Sequence, residues 1–238
     1  MKKLISLLDA TLLDEHIDHK IIKIFCTRVR ALGIKPACVC VYLEQVEQIK
    51  ACLAYDPIPI ATVINFPHGL YPFEKVEKEI LKACALGVEE LDIVVPYGRW
   101  LYYKQSEEIS SFVKYCRSLA GEAMTLKYII ETGALHEPEN ITALSTILCQ
   151  EEVNFIKTST GKMVPGATLA GVQAILEAIK THYRETERRM GIKIAGGIRT
   201  IPQAKEYMDL IEKELGSEWL HPNVFRIGAS RLMDEIKI

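Results

Sequence analysis

The chain has 238 residues, 49% hydrophobic and 25% charged, which allows a substantial core in a single domain of the α/β barrel class spanning residues 1–238. A formal net charge of -2 and a pI near 6.3 exclude the basic surface that nucleic acid or an anionic membrane would require. No stretch approaches the ~18 apolar residues of a membrane span. Asp9, Asp14 and Glu15 also break the apolar N-terminal run too early for a signal peptide, so a cytoplasmic enzyme is expected. The seven cysteines are odd in number and contain no Cys-x-x-Cys pair, and they read as reduced thiols packed as small hydrophobes.

In chain order, short runs rich in Val, Ile and Tyr alternate with longer stretches at helical spacing. Strands are predicted at Leu4 to Ala10, Ala37 to Tyr42, Ile60 to Phe66, Glu90 to Pro96, Leu126 to Thr132, Val153 to Thr158, Gly191 to Gly196 and Val224 to Gly228. Between the first two, Ile22, Phe25, Val29 and Leu32 form one apolar helical face, and Gly33 stands at the C′ position. The same spacing predicts helices through Val76, Ile80 and Ala83 before Gly87, through Ile109, Phe112, Cys116 and Leu119, and through Tyr207, Ile211 and Leu215 before Gly216. Pro138 and Pro202 fall early in their helices, where a missing N–H costs nothing. Eight strands with intervening helices suit a single (β/α)8 TIM barrel. The absence of Gly-x-Gly-x-x-Gly after the first strand counts against an open dinucleotide-binding sheet.

Four strands carry charges inside apolar runs: Asp9, Asp92, Lys157 and Lys193. Such groups are costly in a core unless paired. Mutual neutralisation is one reading, but the C-terminal ends of barrel strands are where active sites assemble. Lys157 stands directly before Thr158-Ser159-Thr160-Gly161, so its amine should face that mouth. A lysine attacks an aldehyde only as the neutral amine, and at an ordinary pKa of about 10.4 roughly one in a few thousand is neutral at pH 7. A second ammonium and partial desolvation would lower that pKa, and Lys193 on the next strand can supply the charge. The assignment is therefore Lys157 as nucleophile and Lys193 as activator, although spacing alone permits the reverse. Asp92 is the candidate proton carrier, with Asp9 holding the network in place.

Glycines form a second constellation, at Gly196-Gly197 after the seventh strand and Gly228-Ala229-Ser230 after the eighth. In barrels these loops often hold phosphate, because glycine lets backbone N–H groups approach it. Gly161-Lys162 offers a third loop and a point charge, so a phosphorylated substrate is expected. Lys127 and Glu131 share a strand face and read as a structural pair, while Arg184 to Arg189 reads as a solvated helix end. His16 and His19 have a metal-pair spacing but no third ligand, so an exposed helix face is expected and no metal.

Seven segments resemble the deoxyribose-phosphate aldolase family. They are Leu8-Asp9-Ala10-Thr11-Leu12, Asn65-Phe66-Pro67-His68-Gly69, Glu90-Leu91-Asp92-Ile93-Val94-Val95-Pro96-Tyr97 and Ile129-Ile130-Glu131-Thr132-Gly133. The other three are Asn154 through Lys162, Ile194 through Thr200, and Phe225-Arg226-Ile227-Gly228-Ala229-Ser230. The resemblance implies reversible cleavage of 2-deoxy-D-ribose 5-phosphate to acetaldehyde and D-glyceraldehyde 3-phosphate, with no metal or cofactor, in nucleoside catabolism. It implies Lys157 as the Schiff-base residue, Lys193 as its perturbing neighbour and Asp92 as the relay. Phosphate contacts would fall on Gly161, Gly196, Gly197, Gly228 and Ser230, with Lys162 adjacent. Thr11, Cys40 and Thr160 join them as substrate-side residues, Cys40 matching a cysteine that aldehyde modifies in some relatives, against the bland reading of a buried strand residue. A homodimer rests on the resemblance alone.

This chain departs from the family pattern in three places. Arg231 replaces a second serine beside Ser230, Ile194 replaces a proline or small residue after the second lysine, and Ile238 ends the chain without the terminal Tyr that some relatives use in proton transfer. These departures bear on turnover more than on reaction type. The competing readings are another phosphate-sugar lyase or isomerase on the same barrel, and a catalytically silent barrel that binds a sugar phosphate.

Overall fold

Eight parallel strands close into a barrel in the order β1 to β8, with β8 hydrogen-bonded back to β1, in a computed structural model that describes residues 1–236. The terminal Ile238 lies outside the described residues. The strands are β1 (Leu8–Leu12), β2 (Cys38–Val41), β3 (Ile60–Ile64), β4 (Glu90–Val94), β5 (Thr125–Ile129), β6 (Phe155–Lys157), β7 (Gly191–Ala195) and β8 (Phe225–Ala229). The helices are α1 (Lys2–Ser6), α2 (His19–Arg30), α3 (Val46–Leu53), α4 (Phe73–Ala85), α5 (Tyr97–Tyr103) and α6 (Ser106–Ala120). They continue with α7 (Thr132–Leu135), α8 (Pro138–Gln150), α9 (Leu169–Thr186), α10 (Ile201–Leu215) and α11 (Leu232–Glu235). This is the (β/α)8 architecture that the strand count predicted.

One expected strand divides in two. The run Leu4 to Ala10 becomes helix α1, which buries Leu4 and Ile5, and only then β1. A short apolar run has no periodicity that separates a buried helix from a buried strand, so composition could not locate the break. Strands β2 to β7 stop earlier than expected, β8 runs one residue further to Ala229, and the hydrogen bonds continue past the strand ends. Val95 N–H donates to Ile129 C=O at 3.1 Å, Ile130 N–H to Lys157 C=O at 3.1 Å, and Thr158 N–H to Lys193 C=O at 3.0 Å. The ladder therefore carries into the loops at the C-terminal mouth and fixes them to the barrel.

The register places one set of side chains on the interior face: Asp9 opposite Cys38, Val63 opposite Asp92, Asp92 opposite Lys127, Lys157 opposite Lys193, and Lys193 opposite Arg226. The alternate residues face the helices, whose apolar faces cover them, so both faces of the sheet are buried. Capping sets the helix starts near the mouth. Asp18 accepts from Ile21 N–H at 2.8 Å to begin α2, and Thr168 accepts from Gly171 N–H at 3.0 Å to begin α9. A Thr200–Gln203 capping box begins α10, and the same Gln203 side chain accepts from Arg199 N–H at 2.9 Å, which holds the end of the Gly196-Gly197 loop. Pro138 and Pro202 occupy the first turns of α8 and α10, as expected. Arg184, Arg188 and Arg189 are exposed where α9 ends, and His16 and His19 lie exposed at the approach to α2.

Candidate active site

Inside the barrel, seven charged side chains form one connected cluster. Lys157 Nζ lies 2.6 Å from Asp92 Oδ2, and Lys193 Nζ lies 2.7 Å from the same oxygen and 2.5 Å from Asp9 Oδ2. Below them, Lys127 Nζ contacts Asp92 Oδ1 at 3.0 Å, Asp9 Oδ2 at 3.5 Å and Glu90. Arg226 closes the base through Asp9 Oδ1 at 2.7 Å and Glu90 Oε1 at 2.9 Å. Asp9, Asp92, Lys157 and Lys193 are therefore mutually paired, which the sequence left as one reading, and a second layer of Glu90, Lys127 and Arg226 extends the cluster.

Burial and pairing pull the ionisations in opposite directions. Desolvation would raise Asp92, yet Lys127, Lys157 and Lys193 hold it well below the usual carboxylate range. Asp9 is likewise lowered, against burial, by Lys193, Lys127 and Arg226. Desolvation disfavours the Lys193 ammonium, but Asp9 and Asp92 outweigh it and raise its pKa, and Asp92, Glu90 and Asp9 do the same for Lys127. Three carboxylates thus face four basic groups. Lys157 has a single carboxylate partner where Lys193 has two and Lys127 three.

Above the cluster opens a cavity of about 250 Å³ with Lys157 in its wall. Thr160, Gly161 and Lys162 after β6, Gly196 and Gly197 after β7, and Gly228 and Ser230 at the end of β8 beside Thr11 of β1 line it. Among the described residues, Lys157 is the member of the charged cluster that reaches this wall. Three further cations surround it, Lys162, Arg199 and Arg231, against one carboxylate, Asp14. Arg231, at the position of the expected second serine, therefore brings charge to the same lip as Ser230. Close approach explains two of the glycines. A Cβ on Gly228 would sit 3.0 Å from Lys193 Cε, and Gly196, at φ +93°, would bring one to 3.0 Å from Gly166 Cα. A side chain at either position would press on its neighbour, Lys193 in one case and the Gly166 backbone in the other.

A family model described as the DeoC/LacD family aldolase matches residues 3–217. The chain belongs to the DeoC/LacD aldolase family. A deoxyribose-phosphate aldolase from Agrobacterium fabrum (strain C58 / ATCC 33970) is 35% identical over 233 residues, 98% of this chain and 88% of that protein. A 1.8 Å crystal structure from Toxoplasma gondii ME49, whose assignment as a deoxyribose-phosphate aldolase is provisional, matches with a TM-score of 0.90 at 22% identity. It covers 98% of this chain and 91% of that one. A tetrameric deoxyribose phosphate aldolase from Aeropyrum pernix matches with a TM-score of 0.73 at 22% identity, covering 97% and 89% of the two chains. At those identities the two structures bear on the fold.

For this aldolase, two sequence expectations are corrected by the geometry. Lys127 and Glu131 are not a pair: Lys127 belongs to the interior cluster, while Glu131 accepts from Thr160 N–H at 3.1 Å and from the Thr160 hydroxyl. Four residues along a strand span roughly 13 Å, too far for an ion pair. Cys40 does not line the cavity; it is buried with Sγ 3.8 Å from Asp92 Oδ2, and burial pushes its thiol up to about 11. Glu90 and Arg226 carry no site role in the sequence reading, although each stands two residues before an assigned site residue, Asp92 and Gly228, and so on the same strand face. Asp9, Cys38 and Glu90 come close enough to hold a metal, but both carboxylates are already engaged by Arg226 and Lys127, and a cation there would meet a cluster rich in cations. No helix among the described residues is long and apolar enough to cross a membrane.

Proposed function

We propose that this aldolase cleaves 2-deoxy-D-ribose 5-phosphate reversibly to acetaldehyde and D-glyceraldehyde 3-phosphate through a Schiff base on Lys157. The carrying observation is that Lys157, in the cavity wall, shares Asp92 Oδ2 with Lys193 while three glycine-bearing loops and three cations surround the space above. The neutral amine adds to the sugar's aldehyde carbon, and loss of water from the carbinolamine gives an iminium. Removal of the C3 hydroxyl proton then breaks the C2–C3 bond. Its electrons pass into the iminium to give an enamine, and glyceraldehyde 3-phosphate leaves. Protonation of the enamine carbon and addition of water release acetaldehyde and restore the amine.

Asp92 suits the relay because one of its oxygens touches both upper lysines, so a proton can move between them and a water in the cavity without charge separation. Lys193, fully buried and held cationic by two carboxylates, supplies a fixed positive charge beside Lys157, and Asp9 fixes Lys193 in turn. Gly161, Gly196, Gly197, Gly228 and Ser230 would take the phosphate, with Lys162 and Arg231 as charges. The whole chain acts as one domain in this reading, in the cytoplasm, in nucleoside catabolism and as a homodimer. A monomer mass in solution scattering would remove the dimer from it. The activity is tested by following acetaldehyde release with an alcohol dehydrogenase couple: release from 2-deoxyribose 5-phosphate supports the reading, and phosphate-dependent binding without release would identify a silent binding barrel instead.

A further inference from the structure

Glu131 is buried against Thr160 of the cavity wall and takes no part in the interior cluster. It is fully buried, its Oε1 has no hydrogen-bond partner, and its backbone sits in the left-handed region at φ 52°, ψ 69°. Burial pushes its carboxyl above the usual range, opposed first by the Thr160 hydrogen bonds and then by Lys157 and His68. A strained backbone and a half-satisfied buried carboxyl both cost stability, so a structural role alone accounts poorly for them. All the side-chain bonds of Glu131 go to one loop. Its Oε2 accepts both the N–H and the hydroxyl of Thr160, and Thr160 Oγ1 in turn accepts Lys162 N–H at 3.1 Å. That locks the Thr160-Gly161-Lys162 turn, with Gly161 at φ +79°, directly after the Lys157 strand. Lys162 Nζ then reaches across to Leu13 C=O at 2.6 Å.

We propose that Glu131 is a positioning residue for the substrate's phosphate: it acts through Thr160 to hold the Gly161-Lys162 loop in the geometry that receives the anion. The inference rests on the phosphorylated-sugar reading above and adds a residue that touches neither the reacting carbon nor the phosphate. It assigns Glu131 to substrate affinity and leaves bond cleavage to the Lys157 cluster. Losing two buried hydrogen bonds to a loop is worth about a tenfold change in affinity.

The test compares 2-deoxyribose 5-phosphate with unphosphorylated 2-deoxyribose. Glu131→Ala should raise KM for the phosphorylated sugar about tenfold, while kcat/KM for the unphosphorylated sugar changes less than about threefold. Glu131→Gln keeps an acceptor oxygen for Thr160 and should restore KM to within about threefold. Equal losses on both sugars, or an unchanged KM in Glu131→Ala, would overturn the inference. Should Glu131→Ala fail to fold, Glu131→Asp keeps the charge but withdraws the carboxylate from Thr160 by one methylene, and carries the same expectation. If the wild-type protein cleaves neither sugar, the function reading has failed, and the inference is read from inorganic phosphate binding by calorimetry. Affinity should then fall about tenfold in Glu131→Ala, and either an unchanged affinity or no binding to the wild type would refute it.

Discussion

The two halves of the barrel bring opposite charges to its axis. Strands β1 to β4 contribute Asp9, Glu90 and Asp92, and strands β5 to β8 contribute Lys127, Lys157, Lys193 and Arg226. Either half alone would bury uncompensated charges of one sign. Asp92 and Lys127 are neighbours across β4 and β5, closure makes β8 and β1 neighbours so that Arg226 meets Asp9, and every pair crosses from one half to the other. Charge pairing inside this barrel therefore joins its two halves, and the surplus basic group sits in the half that also carries the Gly161, Gly196 and Gly228 loops. One half holds the carboxylate proposed as the proton relay, and the other holds the lysine proposed as nucleophile and the loops proposed to receive the phosphate.

Removing a shared acid should have the largest effect. Asp92→Ala strips a carboxylate from three lysines at once, and breaking a buried pair in this way costs about 3–5 kcal/mol. Urea unfolding should show that loss, with turnover lower by at least ~10²-fold. A loss under about 1 kcal/mol would mean that the halves are not coupled through Asp92.

Removing a base from the other half acts on the proton more than on the fold. Lys193→Leu takes a positive charge from beside Lys157. The activity profile should move to alkaline pH and turnover should drop, and an unmoved profile would defeat the assignment of Lys193 as activator.

The halves also differ in the pH at which they fail. Asp9 and Asp92 have lowered pKa values, so their contribution to stability is complete above the ordinary carboxylate value near about 4 and is lost as pH falls through the folded values. Lys127 and Lys193 have raised values, so theirs is complete below about 10.4 and is lost as pH rises through the folded values. Unfolding free energy measured against pH should decline at both extremes, and the acid decline should be shallower in Asp92→Ala. The smallest expected change is Gly228→Ala. The added methyl meets Lys193 Cε and Ala195 Cβ at 3.0 Å, which should lower turnover by displacing Lys193 with only a modest shift in melting temperature.

The sequence reveals the parts of this arrangement that recur with a period. Eight strands, the helical faces between them and the glycine loops follow from spacing, and Asp92, Lys157 and Lys193 stand out as charges in apolar runs. Helix α1 does not, because Leu4, Ile5, Leu7 and Leu8 are buried in either conformation. The lower ionic layer is hidden for another reason. Glu90 and Arg226 sit at strand starts, where a charge reads as a solvated edge, and only the barrel's register turns them inward to meet. Glu131 is misread because its left-handed backbone redirects a side chain that strand periodicity assigns to Lys127.

The most direct test of the account is borohydride reduction in the presence of 2-deoxyribose 5-phosphate, followed by intact-mass and peptide analysis. The account predicts one stable adduct per chain, on Lys157, and its loss in Lys157→Ala. An adduct on Lys193 instead, or none where the sugar phosphate still binds, would contradict it.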